Sequence, residues 1–152
     1  MIDPKIRSTI NRYLPLLTWM AFISVASSGR FSASNTSSII EPIFRWLFPN
    51  ASEHWIFFLH FLVRKAAHFL EYSLLGMLAA HAFASSPRPA IRNRWLIISA
   101  LLVIVYALLD EYHQSFVPTR TGSIFDSLLD MSGGIVALLV IRRRRAQRPT
   151  SP

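Results

Sequence analysis

Asp110-Glu111-Tyr112-His113-Gln114-Ser115-Phe116-Val117-Pro118-Thr119-Arg120-Thr121-Gly122-Ser123-Ile124-Phe125-Asp126 places acids, a histidine and an arginine between two apolar stretches, Trp95 to Leu109 and Ile124 to Ile141. Ionisable groups beside membrane-length segments are costly, so their clustering calls for a functional explanation. A second cluster, Arg64-Lys65-Ala66-Ala67-His68-Phe69-Leu70-Glu71-Tyr72, opens another apolar run that ends at Ala84. Read together, the two predict one polar site assembled from separate helices.

Working outward, a fourth apolar stretch runs from Leu14 to Ala26. With their flanks, the four reach roughly 20 residues each, the length that crosses a bilayer. A hydrophobic content of 52% in a 152-residue chain exceeds what a soluble core of this size needs. The sequence therefore predicts an all-α membrane protein: one domain over 1–152, a four-transmembrane-helix bundle with spans near 13–28, 64–84, 95–112 and 124–141. There is no cysteine, which excludes a disulfide framework and thiolate metal sites.

The net charge of +8 is not spread evenly. Lys5, Arg7 and Arg12 precede the first stretch, Arg88, Arg92 and Arg94 separate the second and third, and Arg142 to Arg145 with Arg148 follow the fourth. All three groups fall on one side of a four-span topology, which the positive-inside rule assigns to the cytoplasm together with both termini. Residues 142–152 read as a basic cytoplasmic tail meeting anionic headgroups, disordered from Ala146 onward. No basic stripe with interleaved aromatics forms a separate module, so nucleic acid is not an expected partner. Basic residues, an apolar core and Ala26-Ser27-Ser28-Gly29 also match a secretory signal peptide; the reading adopted is a retained span.

Between the first two spans, a Ser-rich segment leads to an aromatic, proline-punctuated one. Ser38 is the expected cap of a short helix from Ile39 to Phe48 in the first outside loop, either lying in the headgroup zone or covering the outer end of the bundle. The run Trp55 to Val63 either begins the second helix or lies along the interface, with His54 and His60 at the surface. Ser85-Ser86-Pro87-Arg88-Pro89 predicts a turn.

Helical spacing puts Arg64, His68, Glu71, Tyr72 and Leu75 on one stripe. Asp110 and Gln114 share a face; Asp110 and Glu111, being adjacent, point about 100 degrees apart, so one is expected at the site and the other at the loop. Asp126 and Asp130 share a face followed by Gly133-Gly134 and Ala137, small residues that allow close helix approach. Pro118 and Gly122 suggest a tight turn around Arg120. His68-x-x-Glu71 has the spacing of a two-ligand pair, but arginines compete for the same carboxylates, so neither a metal nor another cofactor is assigned. No nucleophile elbow or phosphate loop is present, and catalytic residues stay unassigned.

These same motifs, joined by Leu75-Gly76 and the serine-rich exit Ala26-Ser27-Ser28, resemble the VanZ-like family of small bacterial membrane proteins over roughly Leu14 to Ile141. The resemblance implies a multi-pass protein of the bacterial inner membrane and envelope, with polar positions on Lys65, His68, Glu71, Tyr72, Asp110, Glu111, Gln114, Arg120, Asp126 and Asp130. It departs at Thr119, where the family usually has glycine. The family's namesake is linked to resistance to the glycopeptide teicoplanin.

The function expected is binding, in an outward-facing polar pocket, of an anionic lipid headgroup or lipid-linked cell-wall intermediate. Arg64, Lys65 and Arg120 would contact phosphate, with Glu71, Asp110 and Asp126 orienting those cations. A membrane-embedded hydrolase or transferase, with Glu71 or Asp126 as base and His68 as proton shuttle, is the alternative. A structural or accessory subunit is the second.

Overall fold

The computed structural model describes residues 3–28, 33–118 and 123–147, and these are mostly helical, with no strand among them. Six helices follow in order: α1 (Pro4–Ala26), α2 (Ala33–Leu47), α3 (Glu53–Ala84), α4 (Pro89–Asn93), α5 (Trp95–Gln114) and α6 (Ile124–Ala146). Two of them, α5 and α6, are long and apolar enough to cross a membrane.

Each boundary has a local cause. The Asp3 side chain accepts from Lys5 N at 2.8 Å, and Pro4 occupies the first helical turn, where its missing N–H costs nothing. This carries α1 well upstream of the span expected from residue 13. Ser52 Oγ accepts from Trp55 N and opens α3, so Trp55 to Val63 is the start of the second helix. With 32 residues, α3 is about 48 Å long and exceeds the bilayer's hydrocarbon thickness. It ends where Ser85 N and Oγ both donate to the His81 carbonyl, just before Pro87, as the turn motif predicts. Asp126 lies in the first turn of α6 and Arg143 to Arg145 in its last, complementing the helix dipole at both ends. Arg142 to Arg145 therefore belong to the helix rather than to a detached tail, which leaves only 147 described beyond it.

Two further expectations are corrected. The first-loop helix begins at residue 33, so Ser38 lies inside α2 instead of capping it. Serine and threonine are indifferent helix formers, but Thr36 gains tertiary hydrogen bonds to α3, and such contacts override propensity. One of those bonds goes to His60 Nε2 at 3.2 Å, and His60 is buried, not at the surface.

The long helices form an alternating bundle. Arg7 and Arg12 sit beside His81 and Ser85, while Arg145 stacks over Trp95, so all four helix ends bearing the basic groups lie together. At the other end Ser27 meets Asp110 and Lys65 meets Asp126. The most extensive packing is between α3 and α6. Glycine makes it close: a Cβ on Gly76 would lie 2.7 Å from the Gly134 carbonyl oxygen, and one on Gly133 would collide with the Phe69 carbonyl. Ser73 Oγ bonds both the Phe69 and Gly133 carbonyls, at 2.8 and 3.0 Å, sealing the crossing. Polarity is inverted relative to a water-soluble fold: Leu101, Leu109 and Leu139 are more than half exposed, whereas Asp130 and Asp110 are buried.

Candidate functional site

The polar end of the bundle contains two connected parts, a cavity and a buried acid network behind it. The cavity, about 460 Å³, lies between α1, α2 and α3. Its apolar lining includes Trp19, Phe22, Leu70 and Leu74, with the Trp19 and Phe22 rings stacked at 4.8 Å. Its polar lining comprises Ser27 from α1, Thr36 from α2, and Arg64, His68 and Glu71 from α3. The expected stripe on α3 thus lines the cavity with three of its members. Trp19 Nε1 donates to the Glu71 carbonyl at 3.0 Å, fixing α1 against α3 at this depth. Arg64 reaches Thr36 Oγ1 at 3.3 Å, so α2 is tied over the mouth.

The acids contact the cavity's polar lining residues. Ser27 Oγ, at the cavity edge, donates to Asp110 Oδ2 at 2.8 Å, and Gln114 Nε2 donates to the same oxygen at 2.9 Å. Glu111 accepts from the backbone N of Ser123, just ahead of α6. The adjacent pair Asp110 and Glu111 is split as its angular separation requires: one reaches toward the site and the other toward the α5–α6 loop. Both are buried.

Two cross-links join α3 to α6. Lys65 pairs with Asp126, each side chain 29% exposed. One turn deeper, His68 Nδ1 lies 3.4 Å from Asp130 Oδ1, whose side chain is 1% exposed. Among the described residues, Asp130 Oδ2, Tyr72 OH and Ser127 Oγ are buried without a hydrogen-bond partner, while Asp130 Oδ1 faces His68. Buried polar atoms are normally satisfied, so this site holds hydrogen-bonding capacity that the described residues leave unused.

Tyr72 is fully buried on the inner side of α3, its ring 6.5 Å from that of Tyr106 on α5. Tyr106 OH in turn reaches the Met20 carbonyl at 2.5 Å and Ser24 Oγ at 2.8 Å, closing the layer onto α1.

Of the residues expected at the site, Arg64, His68 and Glu71 meet the cavity, while Asp110, Gln114, Asp126, Asp130 and Lys65 form the network around it. Tyr72 packs beneath, and Glu111 serves the loop. Arg120 and Thr119 lie outside the described residues. No group of three metal-ligating side chains occurs among those that are described. Sequence reasoning did not single out Trp19, Thr36 or His60 as site residues. His60 carried one signal, its position one turn before Arg64 on the same helix face. Trp19 and Thr36 enter only through packing between helices.

No curated protein and no solved structure matches the chain. The VanZ/LLP1 family model matches residues 12–145, a stretch that contains every polar residue of the cavity and network, and the chain belongs to this family.

Proposed function

We propose that this VanZ-family membrane protein binds a lipid with an anionic, hydroxylated head, such as a lipid-linked cell-wall intermediate. The observation that carries the reading is the cavity's mixed lining, apolar side chains together with an arginine and hydroxyls. Trp19, Phe22, Leu70 and Leu74 suit a hydrocarbon chain, and Arg64, Ser27 and Thr36 suit a phosphate with its neighbouring hydroxyls. Glu71 supplies an acceptor for a sugar hydroxyl. Lys65 pairs with Asp126, the arrangement in which a carboxylate orients a phosphate-contacting cation.

In this reading all four long helices span the inner membrane, with the basic end cytoplasmic and the cavity at the outer side. The apolar stripe Ile39, Ile43 and Trp46 of α2 lies in the headgroup zone. Sequestering an envelope lipid there would alter glycopeptide susceptibility.

The test is native mass spectrometry of gently solubilised protein, wild type beside Arg64→Gln. A co-purifying phosphate-bearing lipid that falls about tenfold in a folded Arg64→Gln variant supports the reading. Equal retention by both would sink it.

A second reading, a membrane hydrolase or transferase, is favoured by one observation, the contact between His68 and buried Asp130. A carboxylate at Nδ1 orients an imidazole, leaving the other ring nitrogen to accept a proton from a water or hydroxyl in the cavity. The base would then be His68, with Asp130 as its positioning partner, instead of Glu71 or Asp126. Absence of turnover across lipid phosphates and lipid-linked sugars would remove this reading while leaving binding untouched.

A further inference from the structure

At the opposite end of the bundle from the polar cavity, a second cavity of about 440 Å³ lies between the start of α1 and the end of α3. Its α1 wall presents Arg7, Ser8, Asn11 and Arg12, and its α3 wall His81 and Ser85. Positions 7 and 12 are about 140° apart around a helix, so the two arginines stand at opposite edges of one face, with Ser8 and Asn11 between them. His81 and Ser85, four apart, face this groove from α3.

The groove's chemistry is one-sided. It holds two permanent cations, a titratable imidazole and neutral hydrogen-bonding groups, but no carboxylate. Among the described residues neither arginine is in an ion pair, and Arg12 Nη2 donates to Ser8 Oγ at 3.4 Å. The nearest acid in sequence, Asp3, is engaged in capping α1. The groove is open, with polar side chains on both its α1 and α3 sides.

We propose that this groove seats the phosphate of an anionic membrane lipid on the side of the membrane where the basic helix ends lie. Arginine guanidinium groups at the two edges grip phosphate oxygens, and the groove's position at the ends of α1 and α3 lets the lipid's chains run down the apolar flank of α1, where Ile10, Leu14 and Leu17 are exposed. The site is independent of the cavity formed by Arg64 and His68.

The experiment compares lipid retention by native mass spectrometry after reconstitution in phosphatidylglycerol mixed with phosphatidylcholine. Arg7→Gln/Arg12→Gln is set against Arg143→Gln/Arg144→Gln, which removes equal charge from the same end of the bundle. Selective phosphatidylglycerol retention by the wild type, about tenfold weaker in the groove variant and preserved in the comparator, is the expected result. Equal loss in both variants would reduce the effect to net charge and overturn the site, as would no loss in either. If the lipid-free protein holds inorganic phosphate as strongly as lipid, the ligand is a free anion and the lipid assignment fails. His81→Gln, a single change at an exposed position, provides the same readout with a weaker expected loss should the double variant fail to fold.

Discussion

Lys65 of α3 pairs with Asp126 in the first turn of α6, and both side chains are about equally shielded from solvent. This is the outermost of the described contacts that hold these parallel helices in register; His68 with Asp130, and Gly76 against Gly134, follow inward. Removing one charge leaves the other poorly solvated, and Asp126 also loses its favourable place at a helix N-terminus. Asp126→Asn should therefore lower stability by about 1–2 kcal/mol, intermediate between exposed and buried pairs. Lys65→Met should cost a similar amount, and the double variant less than the sum. Thermal unfolding in detergent reads all three; strict additivity would show that the pair is not coupled. Full loss of folding in Asp126→Asn would favour a purely structural role for the cluster.

The glycine crossing makes a sharper prediction. A Cβ at Gly76 meets backbone, the Gly134 carbonyl, which cannot move without separating α3 from α6. A Cβ at Gly134 first meets the Val103 side chain at 2.5 Å. Gly76→Ala should thus destabilise by about 1–3 kcal/mol with no single compensating change. Gly134→Ala should be partly relieved by Val103→Ala, so that the double variant is more stable than additivity predicts. The same unfolding assay decides it, and identical behaviour of the two glycines with respect to Val103→Ala would refute the assignment of contacts.

How much of this was readable beforehand follows from what kind of signal each residue carries. The α3 stripe and the face shared by Asp126 and Asp130 are consequences of helical periodicity, and the structure brings them together as that periodicity implies. Gly133-Gly134 announced close approach for the same reason. Helix starts were less legible: Asp3-Pro4 is a cap and first-turn signal outside the hydrophobic run, so the apolar stretch marks a span and not where α1 begins. Ser38 looked like a cap because serine usually is one, yet the hydrogen bonds joining Thr36 with His60 and Arg64 hold the helix that contains it. Pairings between helices, such as Lys65 with Asp126, or Trp19 with the Glu71 carbonyl, depend on packing that no one-dimensional pattern encodes.

Ser27 and Ser28 are neighbours with opposite roles. Ser27 is buried and donates to Asp110, whereas Ser28 bonds the Val25 carbonyl near the surface. Ser27→Ala removes one of the two donors to Asp110 Oδ2 and should cost about 1–3 kcal/mol, the range for leaving a buried polar group short of a partner. Ser28→Ala should change stability by less than about 0.5 kcal/mol. Parallel denaturation of the two variants checks this, and equal effects would mean that the Ser27 hydroxyl does not support Asp110.

The α2–α3 elbow should respond to acid. Arg45 Nη2 lies 2.5 Å from Glu53 Oε2, and this guanidinium, through hydrogen bonding and charge attraction, holds the Glu53 carboxyl below its ordinary value of 4.5. A depressed folded-state value means that the contact's contribution is fully present above about pH 4.5 and is lost as pH falls through the depressed value. Both groups are well exposed, so the global stability effect is small and screened by salt. The local effect is measurable: spin labels on α2 and on the outer part of α3 should report a wider distance distribution at low pH, with the transition below the usual glutamate range. Glu53→Gln should flatten that transition while leaving the Thr36 bonds to His60 and Arg64 in place. A transition unchanged by Glu53→Gln would assign the acid response to other groups.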